Sequence, residues 1–96
     1  MAKPQEYLNY IDGRWVAAKS GRTFPNINPA NRDEVIGLFP DSGPEDFELA
    51  VRAAEKAYPE WRLVPAPRRG EIILKAGLLL QESKEELARL MTREMG

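Results

Sequence analysis

Tyr7-Leu8-Asn9-Tyr10-Ile11-Asp12-Gly13-Arg14-Trp15-Val16-Ala17 is the stretch that decides how the chain begins. Asp-Gly sits between two runs rich in aromatic and β-branched residues. Both central positions of a type I′ turn need positive φ, which Gly adopts freely and Asp tolerates, so these residues specify a two-residue hairpin. A second strand pair follows. Thr23-Phe24-Pro25-Asn26-Ile27 runs into a turn-rich stretch over 28–33, and Glu34-Val35-Ile36-Gly37-Leu38-Phe39 returns. Pro25 cannot donate to a ladder, so its strand is expected at an edge or as an irregular one.

Past residue 42 the apolar period changes from two to about 3.6. Two starts for the first helix are open. Ser42 and Glu45 have capping-box spacing; alternatively Gly43 caps and Pro44 takes the first helical position. Glu45 and Asp46 then lie in the first turn, where the helix dipole favours anions. Phe47, Ala50, Val51, Ala54 and Ala57 form one apolar stripe. Pro59 is expected to stop the helix, leaving Trp61 and Leu63 in a connector. A second helix is expected from about Pro67 to about Gln81, with Ile72, Ile73, Ala76, Leu79 and Leu80 on its apolar face. Gly77 within it costs ~1 kcal/mol relative to Ala and points to close packing. Ser83 and Glu86 form a further capping box for a third helix. Its stripe is Leu87, Leu90, Met91 and Met95, and Glu85 is placed to pair with Arg89. The expected fold class is α+β: two β-hairpins over residues 1–42, then three helices over residues 43–96.

The residue types restrict the chemistry more than any motif does. There is no cysteine and no histidine. That removes a thiol nucleophile, a disulfide framework, an imidazole base, a Ser-His-Asp triad and an ordinary zinc site. Fourteen basic and fifteen acidic residues give a net charge of −1, which does not supply the one-signed basic surface that nucleic acid requires. Apolar runs such as Leu78-Leu79-Leu80 are far shorter than the ~20 residues of a membrane span. The opening Met1-Ala2-Lys3-Pro4-Gln5-Glu6 is polar and unlike a secretory signal, so a cytoplasmic location is expected. No glycine lies in a Walker A or dinucleotide fingerprint. Glu82, Glu85 and Glu86 read as a solvated helix face. The chain is therefore expected to carry neither catalytic nor cofactor-binding residues. At 96 residues it is at most one small domain, of a size that is often marginal alone.

The order of the segments is more specific than any one of them. Tyr10-Ile-Asp-Gly-Arg-Trp-Val16, Ser20-Gly21, Thr23-Phe-Pro-Asn-Ile-Asn-Pro-Ala30 and Glu34-Val-Ile-Gly37 together resemble the opening of the aldehyde dehydrogenase superfamily. The likeness continues through Gly43-Pro-Glu-Asp46, Ala50-Val51, Ala53-Ala54, Trp61, Pro67, Arg69, Ile73-Leu74, Lys84-Glu-Glu-Leu-Ala-Arg-Leu90 and Thr92-Arg-Glu-Met-Gly96. The resemblance implies the amino-terminal part of an α/β Rossmann-type coenzyme-binding domain. It also implies a much longer parent that oxidises an aldehyde to a carboxylic acid with NAD or NADP. The cysteine, the glutamate and the cofactor-binding residues of that chemistry would lie beyond position 96. The implied partners are the remainder of that polypeptide, a small aldehyde and further copies in a homo-dimer or homo-tetramer, with no nucleic acid or membrane. It implies one metal site, for a monovalent cation held by the backbone carbonyls of Asn26 and Ile27 and by Glu94, where relatives often have Asp. The alternative is a stand-alone association module without activity, because amphipathic helices with no sheet to cover them leave apolar surface exposed.

Overall fold

The structure, a computed structural model, describes residues 3–96, so Met1 and Ala2 of the polar opening lie outside the described residues. The first hairpin forms as the Asp-Gly pair dictates. Strand β1 (Asn9–Ile11) pairs antiparallel with β2 (Arg14–Val16), and Asp12 and Gly13 have φ of 53° and 75°. Tyr10 lies across from Trp15, and the two rings meet edge to face at 4.9 Å.

The second hairpin is longer than expected. Strand β3 (Thr23–Asn28) pairs antiparallel with β4 (Asn31–Pro40), and only Pro29 and Ala30 remain between them. The stretch read as turn over 28–33 is mostly strand. Asn28 Oδ1 accepts the Ala30 N–H at 2.9 Å and tightens the reversal. The register is regular from Thr23↔Pro40 to Asn26↔Gly37, then slips on each side of Ile27, which takes up the extra residues of β4. β3 has no strand on its other side among the described residues, the position that suits Pro25.

Residues 5–7 run parallel to β4 on its free side. Leu38 N–H donates to the Gln5 carbonyl at 2.9 Å, and Tyr7 N–H donates to the Leu38 carbonyl at 2.8 Å. The Tyr7 ring crosses Gly37 so closely that a Cβ there would lie 2.5 Å from its Cε2, and it stacks on Phe39 at 4.9 Å. Gly37 is therefore a packing requirement.

Helix α1 (Pro44–Trp61) takes the second of the two starts, with Gly43 as cap and Pro44 at the first position. Ser42 is used elsewhere: its hydroxyl accepts Asn9 Nδ2 at 2.7 Å. The residue that organises the start is Asp46. One carboxylate oxygen accepts the Gly43 N–H at 2.9 Å, and the other accepts the Lys19 N–H at 3.0 Å. Asp46 is only 5% exposed, the buried residue of α1. One buried carboxylate thus ties the segment after the first hairpin to the start of α1.

Pro59 does not stop α1, which runs on to Trp61. A proline in the final turn forfeits its own N–H bond but leaves later residues free to close theirs, and Arg62 N–H reaches the Tyr58 carbonyl at 2.9 Å. Trp61 is accordingly helical and outside the connector. Helix α2 (Ala66–Glu82) is one residue longer at each end than expected. Helix α3 (Lys84–Met95) follows after a single residue, Ser83.

The expected Ser83–Glu86 capping box does not form, since Ser83 makes no side-chain cap bond. Its N–H still belongs to α2, bonded to the Leu79 carbonyl at 3.1 Å, while its carbonyl accepts the Leu87 N–H at 2.9 Å. A residue shared by two helices has no free N–H for Glu86 to reach. Glu85 and Arg89 do not pair. The helical ion pairs are Glu48–Arg52 at 2.7 Å and Arg68–Glu71 at 3.0 Å. The close packing expected at Gly77 is also absent: a Cβ there would meet no described atom within 4 Å.

The apolar stripes of the helices are largely uncovered. The buried apolar side chains among the described residues are Ala18 and Ile36, and α2 buries none. Ile73 and Leu79 are 67% and 63% exposed. The radius of gyration is 17.0 Å, whereas a closed domain of this length would have roughly 12 Å.

Replacing Asp46 tests the fold directly. Asp46→Ala orphans the Gly43 and Lys19 N–H groups together, and the expected loss is about 1–2 kcal/mol in urea unfolding. An unchanged midpoint would show that the carboxylate does not hold the hairpin to α1.

Candidate functional site

The most developed polar cluster lies where the end of α3 meets the second hairpin. Asn26 on β3 and Glu94 in the last turn of α3 are 68 positions apart, yet Asn26 Nδ2 donates to Glu94 Oε1 at 2.9 Å. Beside them, Arg93 Nε donates to Glu34 Oε1, and Asn28 Nδ2 donates to Glu34 Oε2 at 3.1 Å. Gly96 closes the helix with φ +89°, its N–H on the Thr92 carbonyl, and lies against the Pro29–Ala30 reversal. A Cβ at Gly96 would stand 3.3 Å from the Ala30 nitrogen. Arg93, Glu94 and Gly96 of one helix terminus are thereby seated on one hairpin.

The electrostatics follow from this geometry. The Arg93 guanidinium bonded to Glu34 holds its carboxyl below the usual carboxylate range, and the Asn28 amide adds to the effect. Of the residues that the resemblance implied for a cation, the structure brings Asn26 and Glu94 into contact, with Ile27 next along β3 where the register slips. Carboxylate, amide and carbonyl oxygens are the donors that hard monovalent and divalent cations take. Among the described residues no group of three or more His, Cys, Asp or Glu gathers as a metal cluster. Nothing in the sequence pairs Glu34 with Arg93. They are 59 positions apart, and only the docking of α3 makes them neighbours.

Elsewhere the one buried acid among the described residues is already engaged. Asp46, the buried acid, is held by two backbone N–H groups, which also leaves the N-terminus of α1 occupied by the chain's own anion. Gly13 lies in a hairpin turn, Gly37 under Tyr7, Gly43 at a cap, and Gly70 and Gly77 within α2. None of these glycines belongs to a Walker A or dinucleotide fingerprint.

Comparison with known proteins identifies the scaffold. Residues 15–96 match the aldehyde dehydrogenase family. The chain is 48% identical over 92 residues to malonate-semialdehyde dehydrogenase 2 of Geobacillus kaustophilus, covering 96% of this chain and 19% of that protein. It is 43% identical over 88 residues to alpha-ketoglutarate semialdehyde dehydrogenase of Haloferax volcanii, covering 92% and 18%. In three dimensions it is similar to 3,6-anhydro-L-galactose dehydrogenase in complex with NAP, with a TM-score of 0.91 and 34% identity over 96% of this chain and 19% of that one. A putative methylmalonate-semialdehyde dehydrogenase of Sinorhizobium meliloti complexed with NAD gives a TM-score of 0.84 at 34% identity, covering 98% and 19%. The chain belongs to the aldehyde dehydrogenase family, and it spans about a fifth of the length of these relatives.

The Glu34 contacts make the docking of α3 pH-dependent. Because the folded-state value of Glu34 is lowered, its stabilisation is present at neutral pH and is lost as pH falls through that lowered value, below the ordinary carboxylate range. Hydrogen exchange at the amides of Arg93–Gly96 should accelerate relative to the intrinsic rate over that acid range, and Glu34→Gln should remove the step. A protection profile in Glu34→Gln with the same acid step would assign the effect to another group.

Proposed function

We propose that these residues are the amino-terminal scaffold of a longer NAD(P)-dependent enzyme that oxidises an aldehyde to a carboxylic acid. The observation that carries this reading is one of coverage: the matches run over nearly all of this chain and about a fifth of each relative. The chain meanwhile holds neither cysteine nor histidine. In that enzyme the nicotinamide cofactor supplies the hydride acceptor. The residues present here bind neither cofactor nor substrate; they build two hairpins and three helices against which the remaining chain packs. The similar proteins are named for malonate and alpha-ketoglutarate semialdehydes, so an aldehyde that also carries an acid group is the substrate class to try first. A homo-dimeric or homo-tetrameric assembly belongs to the same proposal.

The junction of β3 and α3 supports a monovalent cation within this reading. Asn26 and Ile27 would contribute backbone carbonyls and Glu94 its carboxylate, with further oxygens from outside the chain. The contact between Asn26 and Glu94 favours the assignment because it already brings the acid to the strand.

The alternative of a stand-alone association module draws on the exposed apolar residues of α2. One set of measurements separates the readings. The full-length protein, given malonate semialdehyde and NAD or NADP, should produce reduced cofactor, and the 96-residue chain should produce none. Turnover by the short chain, or none by the long one across a panel of semialdehydes, would contradict the proposal. Unfolding of the long protein in potassium should occur at a higher midpoint than in tetramethylammonium at equal ionic strength, and equal midpoints would remove the cation.

A further inference from the structure

Arg69 carries an unmet demand. It stands at the start of α2, its backbone N–H on the Pro65 carbonyl at 3.1 Å, and its side chain is half-buried. Its Nε is buried and has no hydrogen-bond partner among the described residues. The neighbouring Arg68 is different, since it is exposed and paired with Glu71 at 3.0 Å. The first turn of α2 contains no acid that could serve Arg69, and no ion pair among the described residues includes it.

Two physical arguments say what is missing. A guanidinium cannot shed its proton to escape burial, so a buried Nε–H needs an acceptor. It also sits at the positive end of a helix, where a cation is disfavoured and an anion is favoured. A neutral carbonyl would satisfy the N–H without complementing the guanidinium charge at the helix's positive end. A carboxylate satisfies both, and its two oxygens match the planar fork of Nε and Nη.

We infer that Arg69 is a docking anchor that receives a carboxylate side chain from the part of the parent polypeptide outside these 96 residues. This rests on the proposed function only in requiring a longer chain. The pair fixes the start of α2 to the element that covers it, in a region where the apolar side chains alone are non-directional.

The test uses the full-length protein and does not depend on turnover. A structure of the wild type should place an Asp or Glu oxygen from beyond residue 96 within roughly 3.2 Å of Arg69 Nε. Arg69→Met keeps the aliphatic stem but strands that carboxylate, so the unfolding midpoint at a fixed scan rate should fall by about 3 °C or more. A backbone carbonyl, a cofactor phosphate or water alone at Nε would overturn the inference. So would an Arg69→Met midpoint equal to or above the wild type, the result expected when an unpaired, half-buried cation is removed. If Arg69→Met does not fold, the wild-type structure decides alone. A protein with the ion pair but no aldehyde oxidation would retain this anchor and refute the enzymatic reading; oxidation without the pair would do the reverse.

Discussion

The apolar surface of the three helices exceeds what this chain can cover, and the rest of the structure follows from that imbalance. Burial of apolar area is the main favourable term in folding, at about 25 cal/mol per Å². Here the helices hold it in reserve. Helix α2 has Ile72, Ile73, Leu74, Leu78, Leu79 and Leu80 distributed around its axis, and all are exposed. A helix that is apolar on several sides is built for an interior. The same imbalance explains the extended shape and the open space beside Gly77.

What the chain does hold firmly, it holds with directed polar bonds. Asp46 joins the approach to α1 to its cap, and Ser42 fastens Asn9 of the first hairpin. Asn26, Asn28 and Glu34 seat the end of α3 on the second hairpin. Such contacts fix geometry without requiring a large core. They hold the strands and helices in register although the apolar faces of the helices stay exposed. Tyr7 crossing Gly37 is the aromatic counterpart: a side chain is dropped so that a ring can lie on the strand.

Local signals were legible in the sequence. The Asp12-Gly13 turn, the strand pairs and the three helices follow from turn chemistry and apolar period, and the order of segments pointed to the family that the comparisons establish. Local rules fail where they meet neighbours. Pro59 reads as a stop, yet it falls where a helix is ending anyway. Ser83 and Glu86 have the spacing of a box, but α2 reaches Ser83 first and uses its N–H. Gly77 suggests a tight contact that no described residue makes. The distant partners of Asp46 and Glu34 carry no sequence signal, because Lys19 and Arg93 come near only through the fold. The cation candidates Asn26, Ile27 and Glu94 came from family likeness, and the contact between Asn26 and Glu94 is the part that geometry adds.

The central claim is that α2 is an interior helix whose cover lies outside these 96 residues. Hydrogen exchange of the α2 amides, compared between the 96-residue chain and the full-length protein, tests it most directly. The account predicts little protection of Leu74–Leu80 in the short chain, together with strong protection in the long one. Equal, strong protection of α2 in both would contradict it, since the short chain would then bury that helix by itself.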